Sequence, residues 1–261
     1  MATRPLGFGI VSAGPLRLEG KALQQRMRDA HLSMAAARVD LETVNGTLHG
    51  EARWGEDRVR LVGFDVPMPK AVIDLCLPAS HLRPEMKDTI RAHQSHMLVF
   101  AESGDRAIEQ LLVAAAVCAC IVQGDESALG IVHEAARTIV PPGLLAAGGD
   151  DLVDDLFRLP LPLLYAGFTK LGRRDLPGVW MRTEAAHLLG LPELARLAVG
   201  HAQAEETLVA FDQILRYQLD SGEVLQPGEI LEVEDGTKWT VRAKAADEVW
   251  LESEGPLLVV E

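Results

Sequence analysis

Aromatic residues make up only 5 per cent of this 261-residue chain. Its apolar core must therefore be built from Leu, Val, Ile and Ala rather than stacked rings. Cysteine is almost as scarce: Cys76, Cys118 and Cys120 are the only three. Cys118 and Cys120 lie two apart in a helical stretch, so their side chains diverge by about 200° and cannot pair. An odd count offers no disulfide framework, and a reduced, cytoplasmic chain is expected. Basic charge is also short, with 25 Lys and Arg against 38 Asp and Glu for a formal charge of −13. That excludes binding to nucleic acid or an anionic membrane through a general basic face. It suits a chain kept in solution by charge, or one that meets a basic protein.

Long apolar runs are missing too. The longest, residues 107 to 122, contains Glu109 and Gln110 and is short for a bilayer, so it reads as a buried helix. The start, "MATRPLGFGIVSAGPLRLEG", has no basic segment leading into an apolar one, and a secretory signal is not expected. Neither Gly-x-Ser-x-Gly nor a Walker loop occurs, and Gly7-x-Gly9 does not continue into a dinucleotide-binding turn. No cofactor is implied.

What is present is an alternation of strand and helix signals. "LGFGIVSAG" reads as a strand, and "LEGKALQQRMRDAHLSM" as a helix. Turns at Asn45-Gly46 and Gly55-Glu56-Asp57 separate apolar-alternating stretches and predict hairpins. A strand from Val59 ends at Pro67 and Pro69. Residues 70 to 93 read as a helix broken at Pro78 and capped again by Ser80. "HMLVFAE", the buried helix and "ALGIVHE" together suggest a parallel crossover. "LPLPLLYAGFTKL" and "GVWMRTEAAHLLGLPELARLAV" read as extended, with Trp180, and later Trp239 and Trp250, in packing roles. In the helix that follows, Ala204, Leu208, Phe211, Leu215 and Leu219 form one stripe and Gly222 ends it. Substitution of Asp212, beside the stripe, is expected to be close to neutral. "ILEVEDGTKWTVR" predicts a hairpin about Asp235-Gly236.

The fold class expected from these signals is α+β, a ferredoxin-like mixed or antiparallel sheet with helices packed on it, plus a C-terminal β-hairpin segment. The expected organisation is an N-terminal strand and helix segment (1–58), an α+β core (59–222) and a C-terminal β segment (223–261) within one compact domain.

The segments "FDVPMP", "IRAHQSHMLVF", "LPLLYAGFTKL", "GVWMRTEAAHLLGLPELARLA" and "YQLDSGEVLQPGEIL" occur in an order that resembles the bacterial family catalogued as domain of unknown function 4261. The resemblance spans about residues 60 to 235 and implies an architecture without an activity. Glu184 and Ala185 stand where that pattern carries a glycine.

Two clusters are candidate sites. His93 and His96 are three apart where a helix gives way to a strand, whereas a helical zinc pair needs histidines four apart. They read as a seam, with His93 at a helix end and His96 on a loop backbone group. As metal ligands they would need His81, Glu102, His133 or Glu134 beside them. Asp150, Asp151, Asp154 and Asp155 put carboxylates four apart on one helical face. They suit a helix start or a surface for a basic protein partner, and an oxygen-ligated cation only with ligands the sequence does not supply. Cys76 has His81 nearby but sits on an apolar face. The leading expectation is a non-catalytic, cytoplasmic interaction module, an adaptor or toxin-neutralising partner. A metal-dependent hydrolase using His93 and His96 competes with it, as does a small-ligand binder. Oligomeric state is not encoded in any of these signals.

Overall fold

A computed structural model of the chain describes residues 6–146, 151–172, 178–232 and 236–261. The fold is α+β, with two sheets in two compact units. One unit comprises the residues up to Glu134 together with Thr138–Leu159; the other comprises Ala135–Arg137 and Pro160–Glu261.

The first unit is built on a seven-stranded, wholly antiparallel sheet. Its strands are β1 (Gly7–Ser12), β2 (Arg38–Val44), β3 (Thr47–Trp54), β4 (Asp57–Phe64), β5 (Ser95–Ala101), β6 (Ala128–His133) and β7 (Thr138–Val140), in the order β2-β3-β4-β5-β1-β6-β7. Asn45 and Gly46, at φ 51° and 81°, make the two-residue turn whose twist matches the β2–β3 strands. β5 and β6 both pair antiparallel with β1 and so run the same way. The expected crossover exists, but its strands are not neighbours, because β1 lies between them.

Alternation along the strands divides the first core. Val11, Leu98 and Val132 face α2 (Lys70–Cys76) and α3 (Pro84–Arg91). Ile10, Met97, Val99 and Ile131 alternate with them and are buried on the opposite face. There α4 (Ala107–Val122) packs over β1, β5 and β4, with α1 (Gly20–Ala30), α5 (Gly143–Ala146) and α6 (Leu152–Arg158) against it. A helix with neighbours on nearly every side must be apolar all round, which accounts for its composition. The break between α2 and α3 runs to Pro84 at the first turn of α3. Ser80 does not cap a helix: its hydroxyl donates to the Cys76 carbonyl and accepts from the Ile139 N–H, tying α2 to β7.

The second unit carries a separate six-stranded mixed sheet, where one sheet for the whole chain was expected. Its strands are β8 (Thr169–Gly172), β9 (Val179–Arg182), β10 (Glu193–Ala198), β11 (Ile230–Glu232), β12 (Lys238–Ala243) and β13 (Leu257–Val260), in the order β11-β12-β13-β10-β9-β8. The last strand pairs parallel with β10 and antiparallel with β12, so β12 and β13 are interior strands of this sheet, with β11 at its edge. The expected hairpin is present, with Ile230 opposite Thr240, although Asp235 lies outside the described residues. "LPLPLLYAGFTKL" is not extended throughout, since α7 (Leu161–Leu164) precedes β8. One face packs Trp180, Ala195 and Val259 beneath Trp250 and Leu251. The other carries α8 (Ala204–Ser221), whose Thr207 receives the Arg196 guanidinium that lies 4.1 Å over the Trp239 ring.

Candidate functional site

The sequence's histidine pair lies where α3 gives way to β5, and both rings hold the chain that follows β4. The Met68 N–H donates to His93 Nε2 at 2.8 Å, so Nδ1 carries the ring proton and donates to the Ile90 carbonyl at 2.7 Å. His96 Nδ1 donates to the Val66 carbonyl at 2.8 Å, and its ring stacks on Phe64. Burial pushes the His96 pKa down; the Val66 hydrogen bond opposes this, and nearby His93 adds to it. His93 could ligate a metal through Nε2 only by orphaning the buried Met68 N–H. The residues that might have completed a centre lie elsewhere. Glu102 is on Arg60 at 2.5 Å, and His133 packs against Phe8 on the face opposite His96. Among the described residues, no group of three or more His, Cys, Asp or Glu side chains is placed to hold a metal ion.

The acidic stretch begins α6. The Asp155 N–H donates to the Asp151 carbonyl, and its half-buried carboxylate pairs with Arg158 at 3.3 Å, while Asp154 is exposed. Asp150 lies outside the described residues. Burial pushes the Cys118 thiol up, and that of Cys120 to about 12, so neither is a nucleophile near neutrality.

Sequence reasoning missed a polar centre in the second unit. Glu193, at the start of β10, is fully buried. Its carboxylate accepts from the Thr183 hydroxyl at 2.5 Å, the His187 N–H at 3.0 Å and His187 Nδ1 at 2.7 Å. Thr183 in turn accepts from the Leu194 N–H. This leaves His187 Nε2 directed outward, 3.5 Å from the exposed Glu254. A β-carbon at Gly255 would come within 2.4 Å of His187 Cβ, so glycine is what lets this turn lie on the ring. Beside this group, buried Glu184 accepts from Thr169 at 2.7 Å and from Arg182 at 3.3 Å, with Arg137 at 3.6 Å. A histidine oriented by a carboxylate is half of an acid–base device. Here the hydroxyl sits on the carboxylate rather than on Nε2, so the hydrogen bonds join β9, β10 and the 3-10 turn Ala186–Leu189 instead of activating a nucleophile. The available signal was four polar residues, Thr183, Glu184, His187 and Glu193, in the otherwise apolar stretch from 183 to 194.

The open polar surface is the outer face of β2–β4, opposite α1. Arg38, Arg53 and Arg58 lie across from one another on three strands, as do Asp40, Glu51 and Arg60, then Glu42, His49 and Val62. Like charges opposite each other are unfavourable unless neutralised. Arg53 meets Asp40 and Glu51, each at 2.8 Å. A shallow cleft of about 470 Å³ runs across this face, bordered by Asp40, Glu42, His49, Glu51 and Arg60. Among the described residues, no helix is long and apolar enough to cross a membrane. No family model, no curated protein and no solved structure matches the chain.

Proposed function

We propose that the chain is a non-catalytic protein-interaction module, an adaptor or toxin-neutralising partner that meets a basic protein. One observation carries the reading. In the histidine seam and in the Glu193 centre, the groups that could react are committed to the protein's own backbone and side chains. The β2–β4 face, by contrast, offers charged side chains to solvent. A formal charge of −13 favours a basic partner through electrostatic steering. Three buried free thiols fit a reducing, cytoplasmic setting. A ferredoxin-like core is part of the same proposal, supported by the strand order β6-β1-β5-β4 with α1 following β1 and α4 joining β5 to β6. So is kinship with domain of unknown function 4261, which rests on the order of the segments that resemble it.

The test uses tag-free protein as bait in its native host, followed by binding measurements with the captured protein purified separately. The expected result is a stoichiometric complex that weakens as salt rises. Stoichiometric transition metal in the tag-free protein, with hydrolytic turnover lost in His93→Ala, would overturn the reading.

A further inference from the structure

We infer that the edge of β2 from Leu41 to Thr43 is a docking strand for an extended basic segment of another protein; this rests on the interaction reading above. Along an edge strand, successive residues point their backbone groups alternately into the sheet and out of it. The Val39 N–H points out, because it donates to Gln24 Oε1 of α1 at 3.2 Å. Leu41 and Thr43 share its phase, so their N–H and C=O groups line the open edge. Towards the start of β2 the edge is closed: Gln24 covers Val39, and Arg28 donates to the Ala37 carbonyl at 3.0 Å. Helix α1 thus shields the stretch beside Arg38 and leaves open the stretch beside Asp40 and Glu42.

Charge decides the occupant. Asp40 is held by Arg53, whereas Glu42 has no ion-pair partner among the described residues and stands opposite His49. A second copy of β2 is disfavoured in the registers centred on Leu41 and its neighbours. Antiparallel self-pairing about Leu41 sets Asp40 against Glu42 twice, and moving the axis to Asp40 or Glu42 sets that carboxylate against its own copy. A Lys or Arg on an added strand would instead extend over Glu42 into the cleft bordered by Asp40, Glu42, His49, Glu51 and Arg60, whose guanidinium is paired with Glu102. Its neighbours in the added strand would face the half-buried Leu41. Backbone hydrogen bonds then hold the segment and the cleft selects its charge.

The test measures amide exchange of the whole protein with a short capped peptide alternating Lys and Val, and with its Glu–Val counterpart. The Lys–Val peptide is expected to slow exchange at Leu41 and Thr43 and the Glu–Val peptide to leave them unchanged. Thr43→Pro removes an outward N–H without touching the β2–β3 ladder, and should lose the protection at Leu41. Glu42→Lys, an exposed substitution that keeps the proposal testable if the proline variant does not fold, should reverse the peptide preference. Absence of protection by the Lys–Val peptide overturns the inference, as does equal protection in a folded Thr43→Pro or an unchanged preference in Glu42→Lys. A natural partner still retained by Thr43→Pro would mean that the module docks elsewhere. Failure of the interaction reading itself would show as bound metal and turnover, whatever the edge does.

Discussion

In the first unit two buried imidazoles hold a loop, and in the second buried or half-buried carboxylates do the same. His93 and His96 meet backbone groups at Met68, Ile90 and Val66 one bond at a time. Glu193 gathers three donors at once, Glu184 is approached by two guanidinium groups, and Asp212 of α8 accepts from the Leu161 N–H at 2.6 Å and from Arg216 at 2.9 Å. A charged acceptor makes stronger hydrogen bonds than a neutral ring but leaves more behind when it is removed. The same task, fixing a turn against a sheet or helix, is therefore done with different sensitivity to mutation.

The largest effect that this contrast predicts is at Glu193. Glu193→Ala strands the Thr183 hydroxyl and both donors of His187 in a buried site, and should lower stability by about 3–5 kcal/mol. Urea unfolding followed by tryptophan fluorescence checks it, because Trp180, Trp239 and Trp250 all lie in the second unit. A loss no greater than that of the imidazole variants would remove the contrast. Next comes His93→Ala, which orphans the buried Met68 N–H and leaves the Ile90 carbonyl with backbone donors alone; about 1–3 kcal/mol is expected. Amide exchange at Met68 is the sharper measurement, and unchanged protection there would mean that the ring is not what holds the loop.

Asp212→Ala is expected to cost about 1–2 kcal/mol, where its place beside the apolar stripe had suggested near neutrality. Periodicity located the helix and the fully buried Phe211, which meets Phe168 edge-on at 6.1 Å. It could not say that α7 would end beside α8 and offer Leu161 N–H to the carboxylate. The same limit recurs elsewhere. Hairpins β2–β3, β3–β4 and β11–β12 are written in their turns, and α4 in its unbroken apolar run. Strand β13 is four residues long and pairs with β10 from far along the chain. The histidine seam was visible because the backbone pattern changes between residues 93 and 96. The Glu193 centre was not, since Thr183 follows one strand, His187 lies in a 3-10 turn and Glu193 begins another strand. A near-neutral Asp212→Ala, with α7 still in place, would restore the simpler reading of the helix.

The smallest expected effect is a pH dependence carried by the His96 tie. Burial holds the His96 pKa below its ordinary value, while in the unfolded chain it returns to about 6.5. Between the lowered folded value and that ordinary one, the unfolded chain binds more protons at this position. Stability must therefore rise with pH through the window, and fall as acid is added from neutrality. His93 stands close enough to add to this depression, and the hydrogen bond to Val66 opposes it without reversing it. His96→Gln keeps a donor for the Val66 carbonyl but cannot take up the proton. Amide exchange at the backbone of β4 and β5, measured on either side of pH 6.5, should show weaker acid destabilisation in the variant than in the parent. Should both lose protection equally, His96 is not the group that senses acid in the first unit.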